Sequence, residues 1–169
     1  MQTFTFTTYL DDATSVGYSC ITVPTEIVEA IGGFGTRVLC SVNGNEHIHS
    51  GVMGKGDGNG SIIINKANQK KWGIGLNDEL EATIKLDTSK YGMEVPEELE
   101  ELLEQDREGE AAFEAITPGR QRFIINHVAG VKSSQKRIDR AITMIENLKT
   151  MPPGPFSHRH LLGLLEKKE

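Results

Sequence analysis

From Gln2 to Thr8 the chain alternates, with Thr3, Thr5 and Thr7 on one side and Phe4 and Phe6 on the other. Period two of this kind predicts a half-buried strand. Asp11-Asp12 reads as a turn, and Val16 to Val23 as a second strand. Pro24 stops that strand and opens a short helix from Thr25 to Ile31, closed by Gly32-Gly33, because proline suits a first helical turn and glycine follows a last one. Thr36 to Val42 is rich in β-branched residues and predicts a strand. Asn43-Gly44 is a type I′ hairpin signal, with a return strand from Glu46 to Val52. A glycine-rich turn, Gly54 to Gly60, leads to a strand from Ser61 to Asn65, a short helix from Ala67 to Trp72 with Gly73 after it, and a strand from Glu79 to Leu86.

Two stretches of this half follow one pattern. Ile21 to Gly32, then Arg37 to Val42, reads strand, short helix, glycine, turn, strand. Ile62 to Gly73, then Glu79 to Ile84, reads the same way, with Pro24 matching Asn65 and Gly32 matching Gly73. Two similar half-barrels closing on one core remove exposed strand edges. After Leu86 the pattern turns helical. Pro96 starts a helix to about Glu108, and Gly109 is expected to break it. Thr117-Pro118 opens a second helix to about Ala129. Ser133 or Ser134 caps a third, with Ile138, Ala141, Ile142, Ile145 and Leu148 as one stripe at helical spacing. Met151-Pro-Pro-Gly-Pro155 is a rigid linker before a terminal helix at Leu161 to Leu165. The expected fold class is α+β: a six- to seven-stranded barrel with a duplicated strand–short helix–strand unit over residues 1–92, then a helical region over residues 93–169.

Length and composition agree with a globular chain: 169 residues, 25% charged and 6% aromatic. Nothing approaches the run of apolar residues that a membrane span needs. The opening Met1-Gln-Thr-Phe has no basic or apolar signal region, so the cytoplasm is the expected compartment. Cys20 and Cys40 lie in apolar runs and read as buried thiols. The net charge of −6 argues against general nucleic-acid binding. Residues 1–92 hold seven bases and ten acids, and only Lys66, Lys70 and Lys71 cluster.

The charge is unevenly placed. Glu94 to Glu114 carries ten acids and one base, whereas Pro118 to Lys149 carries seven bases and two acids. Arg120 and Arg122 lie on one predicted helix, and Lys132, Lys136, Arg137 and Arg140 crowd the start of the next. Like charges at a helix N-terminus oppose the macrodipole as well as each other. Either an internal network with the Glu97–Glu110 acids offsets them, or they form a site for an anion or an acidic protein partner. Arg137 and Arg140 decide between the two, by reaching carboxylates of this chain or by converging on an open groove.

No familiar catalytic, cofactor or metal motif stands out. The glycine turn has neither a dinucleotide nor a phosphate-loop spacing. Asp57-Gly-Asn59-Gly-Ser61 imitates a calcium loop, but Ile62 and Asn68 stand where glycine and glutamate belong. His47-x-His49 places two imidazoles on one strand face, short of the three or four ligands zinc takes. His158-x-His160 follows the linker, and His127 reads as a packed histidine. No cofactor is expected. The leading expectation is a non-enzymatic binding or stress-protection module. An enzyme with a pocket near His47, His49 or His127 is the alternative.

The run from Arg120 to Arg140, Arg-Gln-Arg-Phe-Ile-Ile-Asn-His-Val-Ala-Gly-Val-Lys-Ser-Ser-Gln-Lys-Arg-Ile-Asp-Arg, resembles the C-terminal motif of the bacteriocin-protection, YdeI/OmpD-associated family. There a small residue and a lysine precede Thr-Arg-x-x-Arg at a helix start. Lys132, Arg137 and Arg140 fall on the basic positions, while Val131 and Lys136 replace the usual alanine and threonine. From Phe4 to Asp87, Val23-Pro24, Val42-Asn43-Gly44 and the glycine turn resemble the uncharacterised β domain often found before that motif. That resemblance implies a double-split barrel of the kind seen in AbrB-like transcription factors. It keeps an AbrB-like nucleic-acid regulator as a further alternative. It implies no catalytic residue.

Overall fold

A computed structural model describes residues 2–13 and 17–164. The chain forms two compact units, Met1–Gly92 and Met93–Glu169. The first is built from β1 (Thr3–Ala13), β2 (Tyr18–Val23), α1 (Thr25–Ala30), β3 (Arg37–Val42), β4 (Ile48–Gly51), β5 (Met53–Gly54), β6 (Gly60–Ile63), α2 (Lys66–Trp72) and β7 (Glu79–Leu86). The seven strands run in the order β4-β3-β7-β1-β2-β6-β5, and every pairing is antiparallel. The two end strands of that order are joined in sequence through Val52. Its N–H donates to the Thr36 carbonyl and its carbonyl accepts from Gly35, so the sheet nearly closes into a barrel.

The duplication is visible in the register. Ile21, three residues before Pro24, lies opposite Ile62, three residues before Asn65. Pro24 and Asn65 are the N-caps of α1 and α2. Like positions of the two repeats therefore face each other across β2 and β6, as a two-fold relation requires. β3 and β7, the closing strands of the two repeats, pair as well. Leu10, Ile21, Val23, Val38, Cys40, Val42, Ile62, Ile64, Ala82 and Ile84 are fully buried in the core between the halves.

Asp11-Asp12 is not a turn. β1 runs through both residues, which stand opposite Cys20 and Ser19. The reason is a change of partner: Thr3–Tyr9 pair with β7, and Leu10–Ala13 with β2. One long strand thus serves both halves, and the fully buried Leu10 holds it at the crossing. Val16 lies outside the described residues. Asn43 and Gly44 both have positive φ, 50° and 71°, which makes the type I′ turn that the sequence signals. The return strand starts later than Glu46, at Ile48.

The second unit comprises α3 (Glu97–Gln105), α4 (Arg107–Ala115), α5 (Pro118–Ala129), α6 (Ser134–Lys149) and α7 (His158–Leu161). α6 packs against α3, α4, α5 and α7. Its N-cap is Ser133, whose hydroxyl accepts from the Lys136 N–H at 3.4 Å, and Pro118 is the first residue of α5. α7 begins at His158, ahead of the expected Leu161, and Leu165 lies outside the described residues.

Two helical expectations are corrected. The helix breaks at Asp106, not at Gly109: Asp106 has φ −109° and ψ 88°, ends α3, and caps α4 by accepting from the Gly109 N–H at 2.9 Å. α4 then runs through Gly109, which is buried because α4 crosses close to α6 there. A Cβ at Gly109 would stand 2.5 Å from Ile145 Cγ2 and 2.6 Å from Asp106 Oδ2. The expected stripe on α6 is also rotated. Ala141, Met144, Ile145 and Leu148 are buried, whereas Ile138 and Ile142 are 37% and 46% exposed.

Two helical glycines should therefore respond oppositely to alanine. Gly109→Ala overfills a fixed contact and is expected to destabilise by about 1–3 kcal/mol. Gly119, in the first turn of α5, has nothing within 4 Å of its would-be Cβ, so Gly119→Ala should be neutral or gain up to about 1 kcal/mol. Thermal melts followed by circular dichroism check this, and an unchanged midpoint for Gly109→Ala refutes the close approach.

Candidate functional site

The basic motif is placed by α5, the turn after it and the first turns of α6. The Arg137 Nε donates to Glu98 Oε1 at 2.9 Å, and its Nη1 donates to the Val131 and Lys132 carbonyls at 3.3 and 3.5 Å. One guanidinium thus ties α3 and the α5–α6 turn to α6. Rigid forked donors suit such a three-way contact better than an ammonium. Hydrogen bonding from Ser134, from its own backbone N–H and from Arg137 holds the Glu98 carboxyl below its usual value. Arg140 Nη1 donates to the His127 carbonyl at 2.7 Å. That oxygen lies in the last turn of α5, where carbonyls lack helical partners and a cation complements the dipole. Burial, then the Arg140 charge, keeps the His127 imidazole below its usual value.

Of the other basic residues, Arg120 stacks its guanidinium over Phe156 at 4.3 Å. Arg122 is half-buried on α5. Lys132 and Lys136 are exposed and make no ion pair among the described residues. Arg137 meets a carboxylate of this chain and Arg140 a main-chain carbonyl, while the lysines face solvent. Lys149, at the far end of α6, donates to Asp106 at 2.8 Å and Glu146 at 2.6 Å, and these bonds hold its ammonium well above the usual value.

The rotation of α6 leaves a groove of about 320 Å³ between α3 and α6. Leu102, Ile138, Ala141 and Ile142 make it apolar, and Glu97, Glu98 and Glu101 stand along its α3 side. The sequence gives no warning of it, because Ile138 and Ile142 continue the buried stripe at correct helical spacing.

The barrel unit brings together a pair absent from the sequence reading. His49 Nδ1 and Asp87 Oδ2 are 2.7 Å apart, and the Asp87 side chain is only 1% exposed. Asp87 Oδ1 also accepts from the Ser89 N–H at 3.0 Å and hydroxyl at 2.6 Å. β4 and β7 flank β3, so only the register across a third strand makes His49 and Asp87 neighbours. His47 lies before β4 and is exposed, so the strand-face histidine pair does not form. Among the described residues no group of three or more histidine, cysteine or acidic side chains is placed to hold a metal ion.

The glycine turn is a hairpin loop. Asp57 accepts from the Asn59 N–H and side-chain amide, and Asn59 Oδ1 accepts from the Thr25 N–H and hydroxyl at the start of α1. A second concavity, about 340 Å³, is lined by Asp11, Asp12, Tyr18, Cys20, Lys55 and Ser61 among others. Burial raises the Cys20 thiol and pushes Cys40 up to about 12, which disfavours the thiolate form at both. Of the α2 lysines, Lys71 pairs with Glu46.

Residues 92–150 match the model of the bacteriocin-protection, YdeI or OmpD-associated family. Residues 6–84 match that of a domain of unknown function, DUF1905. The helical unit is thus similar to the YdeI/OmpD-associated family and the barrel to DUF1905 domains. No curated protein matches the chain. The YdeI/OmpD-associated match spans α3 to α6, and so contains Arg137, Arg140, the Glu98 contact and the groove. Among the described residues no helix is long and apolar enough to cross a membrane.

The His49–Asp87 pair makes a pH prediction. Burial alone would raise the Asp87 carboxyl, but the bonds from His49 and Ser89 outweigh it and hold the group below its usual 3.8. A depressed carboxylate stabilises the fold above the unfolded value and loses that contribution as pH falls through the folded one. Barrel stability should thus fall on acidification from 3.8 downwards. Asp87→Asn should cost about 1–3 kcal/mol at neutral pH and flatten that acid limb. Urea melts across pH check it, and an Asp87→Asn limb as steep as wild type refutes it.

Proposed function

We propose that the chain is a non-catalytic, cytoplasmic binding module of the protection type, and that its helical unit does the recognising through the α3/α6 groove. The observation that carries this is the outward placement of Ile138 and Ile142. Burying an isoleucine stabilises a fold by about 1.5–3 kcal/mol, so two left 37% and 46% exposed on a central helix forgo part of that contribution. Exposed apolar surface rimmed by polar groups marks an interaction site. Arg137 and Arg140 serve as framework in this reading, because their contacts fix α3 and α5 on α6 and so hold the groove open. The two unpaired buried thiols, Cys20 and Cys40, fit a reducing compartment.

A second reading has Lys132 and Lys136 in its favour. Neither makes an ion pair among the described residues; Lys132 lies just before α6 and Lys136 in its first turn, where an acidic partner or a phosphate group can meet them.

Bacteriocin challenge of cells expressing the full chain separates the readings. Ile138→Asp with Ile142→Asp should abolish protection while leaving the melting midpoint nearly unchanged. Lys132→Glu with Lys136→Glu should leave protection intact, and so should His49→Gln. Arg137→Gln should lower the midpoint, since it strands Glu98 and two carbonyls. Protection that survives loss of both isoleucines refutes the groove. Protection lost with the lysine pair moves the site to the anion reading, and loss with His49→Gln at an unchanged melting midpoint points to catalysis.

A further inference from the structure

We infer that the α3/α6 groove takes a basic amphipathic helix of a partner protein, with apolar side chains on Ile138 and Ile142 and lysines or arginines on the α3 glutamates. The inference rests on the groove being the docking surface and adds the chemistry of its occupant.

Charge carries the choice. α3 reads Glu-Glu-Leu-Glu-Glu-Leu-Leu-Glu-Gln and contains no base. Glu97 and Glu101 stand on the groove, exposed and without an ion pair among the described residues. Of the three groove glutamates of α3, Glu98 alone is neutralised among the described residues, by Arg137. On α6 the acids nearest the isoleucines are already engaged: Glu146 pairs with Lys149, and Asp139 accepts from the Gln135 amide. The apolar floor is therefore flanked by carboxylates on its α3 side. A neutral or acidic apolar segment would desolvate those groups or meet them with like charge, whereas a basic one is steered in and paired.

Geometry favours a helix. Ile138 and Ile142 are four residues apart, about 6 Å along α6. The same spacing of apolar groups recurs on one face of any partner helix, and helix-in-groove recognition uses such anchors. Glu97 and Gln105, at the two ends of the α3 side, are about 12 Å apart by helical rise, room for two to three turns. The lysine-rich helix of a second copy, α2, offers no match: its one large apolar residue, Trp72, is buried, and Lys71 is paired with Glu46.

The test uses the full chain and two fluorescein-labelled peptides with leucines at helical spacing, one carrying lysines between them and one carrying glutamates. Fluorescence anisotropy should show saturable binding of the Leu/Lys peptide, weakened by salt, and none of the Leu/Glu peptide. Glu97→Lys with Glu101→Lys should weaken it at least about tenfold, which is 1.4 kcal/mol, and so should Ile142→Asp, both at an unchanged melting midpoint. Equal binding of both peptides, no binding of the Leu/Lys peptide, or unaltered binding by either variant overturns the inference. So does a dimer in sedimentation that dissociates on Ile142→Asp, since a second copy is then the occupant. If the Leu/Lys peptide fails while Ile138→Asp with Ile142→Asp still abolishes protection, the docking surface stands and only its basic partner falls. If both fail, the surface itself is wrong.

Discussion

α6 has sixteen residues and four helical neighbours, and the rest of the helical unit follows from how its surface is divided among them. α4 comes closest. It crosses at Gly109, where no side chain fits between it and Ile145. Asp106 makes that approach possible by ending α3, capping α4 and taking the Lys149 ammonium at the end of α6. α5 is held by Arg140 at its last turn, and α3 by Arg137 at its first. α7 is tied on by the Asn147 amide, which donates to the Leu161 carbonyl at 3.0 Å. With Ala141, Met144, Ile145 and Leu148 turned to the core, Ile138 and Ile142 are left only partly covered.

The barrel answers a different constraint, how to close a small sheet without leaving edges to pair elsewhere. Two repeats of strand, short helix and strand are related by the Ile21–Ile62 and β3–β7 pairings. β1 belongs to neither repeat and bridges both, which is why it continues through Asp11 and Asp12. The Asp87 carboxylate does comparable work at the other side. It is buried where β7 ends, bonds His49 on the edge strand β4, and accepts two bonds from Ser89. Its removal leaves several donors without partners, so the pair reads as an anchor for an edge strand.

Local signals in the sequence were sufficient where a residue acts on its own backbone. Pro24, Asn65, Thr117 and Ser133 cap the helices they were expected to open, and Asn43-Gly44 makes its turn. The β7 strand has the bounds its composition predicts. They failed where the deciding neighbour is distant. Gly109 reads as a breaker until Ile145 is known to sit against it, and an aspartate pair reads as a turn until two strands compete for β1. For the site, the motif arginines were visible as a charge cluster, but their roles were not. Val131 and Lys132 offer carbonyls, and Glu98 a carboxylate, only in the folded unit.

The groove shows why that limit matters for function. A helical wheel assigns Ile138, Ala141, Ile142, Ile145 and Leu148 to one apolar stripe, and the stripe is real. It is wider than the surface that α3, α4 and α5 cover. Met144, which the stripe omits, is buried, and this sets the centre of the covered face away from Ile138 and Ile142. The acidic character of α3 sharpens the effect. Its Leu99 and Leu103 point into the core, and the residues left to shield the isoleucines are Leu102 and glutamates. Glutamate side chains prefer water to an apolar neighbour, so they line the groove without closing it. An apolar strip flanked by glutamates is the direct outcome of α6 serving as the spine of the unit while α3 supplies the charge.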